Sequence, residues 1–349
     1  MGTTVGVDWK LERGLVVRMI LAIAFLAVLP VAFAYTLQLS LNHVVGPVVS
    51  ALTDTPIDIQ VSIPLWLIVV GTVVGYTLQY TLGDRVALRA VDARIVDADT
   101  EPALSGRIQR LAAQAGVPAP AVAVSESDVP NAFAVGRRAG SSTIVVTRGL
   151  LETLDDEQLD AVLAHELAHV KNRDVAVMSL AYFLPTLTYV VAIVAYGILT
   201  RIPHVFRHVE FDDEDGAKAF LIIVTVLVVS SIVTIAVATL FWLASFLLFR
   251  LLSQYREYAA DRGAAAITGD PTALATALEV LDREMSDLPD EDLRTVDGGI
   301  EALYVAPIDA DQFANRRQLI SADLFFPDTH PPMDERLDQL RSMTAELEA

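Results

Sequence analysis

The chain alternates between long apolar runs and stretches in which charge is mixed with short hydrophobic repeats. Four runs reach the roughly 20 residues a helix needs to cross a hydrocarbon core, at 16–39, 63–82, 176–200 and 219–251. The fourth exceeds the minimum, so its end is expected to continue into water as helix. Between the second and third runs, "SGRIQRLAAQAGVP" puts Ile108, Leu111, Ala112 and Ala115 on one helical face and stops at Gly116. "AVAVSE" and "STIVVTRG" are short β-branched runs with "NAFAVGRRAG" between them, which predicts a small sheet. A further helix is expected to begin at Asp155, which can cap it, with Gln158 completing a capping-box-like pair, and to continue to about Arg173. Residues 271–287 read as another helix, and "SDLPDEDLRTVDGG" as an acidic loop. The predicted fold is mainly α and integral to a membrane, with four transmembrane helices and a water-exposed α+β domain carrying a small β-sheet.

Charge orients these runs, because Lys and Arg accumulate in cytoplasmic loops. Lys10, Arg13 and Arg18 lie at the first run, Arg85, Arg89 and Arg94 follow the second, Lys171 and Arg173 precede the third, and Arg250 and Arg256 close the fourth. The 40–62 loop has neither residue type. The reading is a multi-pass cell-membrane protein with both termini and 83–175 cytoplasmic. Its parts are 1–82 (two transmembrane helices), 83–175 (first cytoplasmic part), 176–251 (two more transmembrane helices, external loop 201–218) and 252–349 (second cytoplasmic part). Arg201, Arg207 and Lys218 in the external loop run against the rule, with "EFDDED" offsetting them. Lys10, Arg13 and "AFAY" also resemble a secretory signal, but the run is long for one, and an anchor is expected.

At 53% hydrophobic residues the chain is richer in apolar side chains than a water-soluble domain, and some must face lipid. The formal charge of −19, with Lys only at 10, 171 and 218, argues against nucleic acid as a partner and suits a high-salt cytoplasm. With no cysteine, any metal must be held by His, Asp or Glu.

The chemistry concentrates in "DAVLAHELAHVKNRD" at 160–174. Helical residues four apart differ by only about 40° around the axis, so His165 and His169 project together and can chelate one ion. Glu166 points about 100° away, where a base for an activated water belongs. Chance gives this five-residue pattern in about 0.5% of such chains, so a further ligand decides its meaning. A catalytic zinc needs three protein ligands and an open position. "SQYREYAADRGAA", continuing the fourth run, offers Glu257 as third ligand and Asp261, one turn on, as a carboxylate accepting a histidine N–H; spacing alone lets the two roles swap. His204 and His208 repeat the spacing without the adjacent glutamate and are expected to be a decoy, and His43 is read as an interfacial loop residue.

Together "HELAHVKNRD", "REYAAD", "NAFAVG" and "THPPMDERL" resemble the HtpX-like membrane zinc metalloproteases, relatives of the CAAX prenyl endopeptidases, over roughly 85–345. The resemblance implies a zincin-like catalytic domain at the cytoplasmic face. It implies one Zn2+ per chain on His165, His169 and Glu257, with Glu166 catalytic and polypeptides, membrane or misfolded proteins among them, as substrates. It also sets Asn131, Ala132 and Phe133 beside the cleft as a strand that could pair with substrate, and His330 and Arg336 as groups that could stabilise an oxyanion. Two rivals remain. A site-2-type protease with zinc inside the bilayer sits poorly with "DDEQLD" and "KNRD" around the motif, and a non-catalytic scaffold or chaperone partner would not need Glu166.

Overall fold

The computed structural model describes residues 13–90, 93–136, 139–206, 213–287 and 331–348. His208, His330 and most of the acidic loop expected after Met285 lie outside them. In chain order the helices are α1 (Arg13–Ser40), α2 (Gly46–Thr53), α3 (Leu65–Ala90), α4 (Pro102–Ala115), α5 (Arg148–Thr153), α6 (Asp156–Asn172), α7 (Asp174–Ala181), α8 (Phe183–Phe206), α9 (Glu214–Thr268), α10 (Pro271–Asp287) and α11 (Met333–Glu348). The strands are β1 (Arg94–Val96), β2 (Ala121–Ser125), β3 (Ala132–Val135) and β4 (Thr143–Thr147). Two compact units divide the chain: Ile20–Gln79 with Leu180–Leu248, and Met1–Met19, Tyr80–Ser179 and Phe249–Ala349.

The first unit is apolar and helical. Among the described residues three helical stretches are long and apolar enough to cross a membrane, Ile20–Thr53, Phe183–His204 and Glu214–Thr268. The run expected over 63–82 forms α3, of which Leu65–Gln79 is an apolar helix among the residues whose side chains are described. A π-helical turn, Leu41–Val45, joins α1 to α2 and contains His43, so that residue is helical rather than in a loop. The run expected over 176–200 is two helices broken at Tyr182, because Pro185 has no N–H to give the Ala181 carbonyl and α8 restarts with it in its first turn. The expected external loop is trimmed by helix at both ends. Within this unit Tyr76 donates to the Leu26 carbonyl at 2.7 Å, and Gly75 leaves room for the Phe183 ring, which a Cβ there would meet at 2.5 Å.

The second unit carries a four-stranded mixed sheet in the order β1-β2-β4-β3. β2 and β4 are parallel, and β1 and β3 join them antiparallel as edges. Val122, Val124, Ile144 and Val146 face a core shared with Ile108 and Leu111 of α4, Leu163 and Leu167 of α6, Leu274 and Leu278 of α10, and Leu340 of α11. Ala123, Phe133, Val135 and Val145 pack on the other face. Burial on both faces is why β2 and β4 read as continuous apolar runs instead of alternating ones. β3 is an edge strand and covers Ala132 and Phe133 of the strand that the resemblance implies, with Asn131 just before it.

The turn that delivers β3 is tight. The Gly149 N–H donates to the Ser127 carbonyl at 3.0 Å, and a Cβ on Gly149 would overlap the Asp128 carbonyl. Gly149→Ala is expected to destabilise this unit by about 1–3 kcal/mol, read as a lowered melting temperature in detergent; an unchanged melt would refute the packing argument.

Candidate metal centre

Helix α6 begins where local chemistry dictates. The Asp155 carboxylate accepts from the N–H groups of Glu157 and Gln158 at 3.0 and 2.9 Å, and Gln158 Oε1 accepts from the Asp155 N–H at 3.1 Å. Leu163 and Leu167 anchor the helix in the core, and its buried stretch carries His165, Glu166 and His169. The far end of α9 brings Glu257 and Asp261 to the same place, all five residues at least 94% buried.

Three ligand atoms converge. His165 Nε2 and His169 Nε2 are 3.0 Å apart, His165 Nε2 is 3.4 Å from Glu257 Oε2, and His169 Nε2 is 3.5 Å from Glu257 Oε1. A tetrahedral ion with bonds of about 2.0–2.1 Å separates its ligands by about 3.3 Å, so these spacings fit such an ion. The other ring nitrogens settle where the protons lie. His169 Nδ1 faces Asp174 Oδ2 at 2.7 Å, and His165 Nδ1 faces Asp261 Oδ1 at 3.0 Å. An ionised carboxylate only accepts, so each Nδ1 carries the proton and each Nε2 presents a lone pair. Two lone pairs and a carboxylate aimed at one point repel unless something positive lies between them.

Asp174 is the part of the site that the sequence reading missed. It follows α6 through Arg173, which adopts a left-handed conformation at φ 60° and donates its N–H to the Val170 carbonyl. That turn returns the chain so that Asp174 meets His169. Each histidine therefore has its own carboxylate, and each carboxylate its own arginine. Arg256 Nε lies 3.4 Å from Asp174 Oδ2. Arg336 from α11 grips Asp261 at two points, Nε to Oδ2 at 2.9 Å and Nη2 to Oδ1 at 2.7 Å.

Charge bookkeeping agrees with the geometry. Glu166, Asp174, Glu257 and Asp261 are four buried carboxyl groups against two buried guanidinium groups, Arg256 and Arg336. Two negative charges are left over, which one divalent cation balances. Protons otherwise take that place. Burial alone would lower the His165 pKa, but hydrogen bonding and charge from Asp261 and Glu257 outweigh it and hold the ring at about 9. Burial lifts Glu166 to about 8, against the charges of His165 and Arg256. Burial keeps His169 below its ordinary value despite Glu257 and Asp174.

The sheet edge reaches the same centre, because the Ala134 N–H of β3 donates to the Glu166 carboxylate. Asn131, Ala132 and Phe133 are buried at the start of this strand; Asn131 exchanges hydrogen bonds with Thr147. His204 ends α8 and belongs to no metal-ligating group among the described residues.

Known proteins resemble the chain over most of its length. The profile of Peptidase family M48 matches residues 98–344. Over 282 residues the chain is 39% identical to Protease HtpX homolog 1 of Streptomyces coelicolor, covering 80% of this chain and 84% of that one. It is 38% identical to Protease HtpX homolog 2 of Methanosarcina acetivorans, covering 80% and 85%. The S. mikatae Ste24p crystal structure matches with TM-score 0.43 and 19% identity, covering 95% of this chain and 67% of that one.

Because protons and a cation compete for the same electron pairs, affinity for a divalent cation is expected to fall as pH drops below about 9, where His165 takes its proton. Calorimetry in buffers of different ionisation heat should show proton release on binding near neutral pH; an affinity constant between about pH 6 and pH 9 would contradict this. Asp174→Asn should weaken cation binding about 10- to 100-fold, and wild-type affinity in that variant would remove Asp174 from the site.

Proposed function

The chain belongs to the M48 family of peptidases, and from that premise we propose that it is an HtpX-like, zinc-dependent endopeptidase of the cell membrane. It cleaves polypeptides, membrane and misfolded proteins among them, at the cytoplasmic face and serves membrane-protein quality control. In this reading the chain crosses the bilayer four times, with α3 as the additional span and both termini cytoplasmic. The observation that carries the reading is the convergence of His165, His169 and Glu257, all buried, beside Glu166.

A zinc ion held by those three residues would supply Lewis acidity, acidifying a water molecule and polarising the scissile carbonyl. The rest falls to the side chains. Asp174 and Asp261 keep the protons of both rings on Nδ1, so both Nε2 lone pairs stay available. Glu166 takes a proton from the attacking water and returns it to the amine as the C–N bond breaks. The buried site keeps bulk water from competing. β3 borders Glu166 through Ala134 and has β4 as its strand partner on one side only. Its other edge is suited to pair with an extended substrate backbone.

Glu166→Gln in the detergent-solubilised protein should keep one zinc per chain and lose casein cleavage by about 100- to 10,000-fold. His165→Ala should lose both. Equal cleavage by wild type and Glu166→Gln would overturn the mechanism.

A further inference from the structure

Among the described residues Arg336 is the most deeply buried charged residue of the second unit, with 0% exposure, and it comes from a helix that contributes no residue to the candidate metal-ligating group. Its burial is not what docks α11. That helix is already seated on α10 by Leu340 in the core, by the Arg341–Glu279 pair at 3.0 Å and by the Thr272–Thr344 hydroxyl contact at 3.2 Å. A buried ion pair is weak evidence for stability, since an apolar pair of similar volume often serves as well. A charge kept at such a position needs another reason.

The reason is visible in how the guanidinium meets Asp261. Nε and Nη2 hold the two carboxylate oxygens separately, at 2.9 and 2.7 Å, which stops the carboxylate from rotating. The oxygen held by Nη2 is the same Oδ1 that faces His165 Nδ1 at 3.0 Å. Arg336 Nη2 also lies 3.9 Å from Glu257 Oε2. One residue away, Glu335 accepts from the Tyr258 hydroxyl at 2.6 Å, a second tie between α11 and the segment of α9 that bears the ligand.

We propose that Arg336 is a positioning residue for the metal: by fixing Asp261 it fixes the tautomer and orientation of His165, which makes α11 a working part of the metal centre. This rests on the metallopeptidase reading and deepens it. It differs from a role in oxyanion stabilisation, in which Arg336 would act on the substrate and leave metal affinity alone. Lysine keeps the charge but cannot grip both oxygens in one plane, so it separates the two roles.

The test is a zinc titration against a chelating dye on the full chain in detergent, with casein cleavage measured in parallel. Arg336→Lys should lower zinc affinity about tenfold or more, and Arg341→Ala, which loosens α11 at the surface, should leave it unchanged. The Asp261→Asn/Arg336→Gln double variant, which leaves neither charge unpaired, should bind zinc within about twofold of Asp261→Asn alone, because Arg336 acts through Asp261. Normal zinc affinity in Arg336→Lys, or a further tenfold loss in the double variant, overturns the proposal. If Arg336→Lys binds zinc normally but cleaves poorly, the positioning role fails while the peptidase reading stands. A wild-type chain that holds no zinc ends both.

Discussion

The second unit is organised around a cluster of like charges that cannot stand alone. Two imidazole lone pairs 3.0 Å apart and a carboxylate within 3.5 Å of both would repel in water and repel far more in a buried setting. His165, His169 and Glu257 form a group that could hold a metal ion, and a divalent cation between them would relieve that repulsion. Asp261 and Asp174 stand beyond the two rings, and Arg336 and Arg256 stand beyond those carboxylates. Donor and acceptor groups thus alternate outward from the three converging ligand atoms.

Much of this was legible because it follows local rules. The capping pair at Asp155 and Gln158 announces α6, the four-residue spacing of His165 and His169 puts both on one face, and the apolar spacing from Ile108 to Ala115 announces α4. The long apolar runs were legible for the same reason, although the break at Tyr182 depended on a proline too close to the helix start to look like an interruption. What stayed hidden depends on backbone turns or distant partners. Asp174 could not be assigned to His169, because the turn that returns it uses a left-handed arginine where glycine or asparagine would have been the signal. β3 came from the resemblance and not from alternation, because its residues are buried throughout. Arg336 could be picked out from sequence, but its partner Asp261 lies 75 residues earlier and no periodicity connects them.

The sheet serves the centre less by its faces than by its margin. β3 is held to β4, and its Ala134 backbone hydrogen-bonds the Glu166 carboxylate. The tight contact at Gly149 sets where that strand begins, so the reach of Glu166 toward the strand depends on a turn that contains no ionisable group of the site.

The order in which the chain is made gives the Arg336–Asp261 contact a temporal meaning. A ribosome that has just added Asp261 must add 75 more residues before Arg336 exists. Throughout that interval the nascent enzyme has its histidines, glutamates and aspartates but lacks the cation that holds one of them in place. Completing the hydrogen-bonded chain behind His165 therefore waits on α11, although the imidazole and its carboxylate are made long before it.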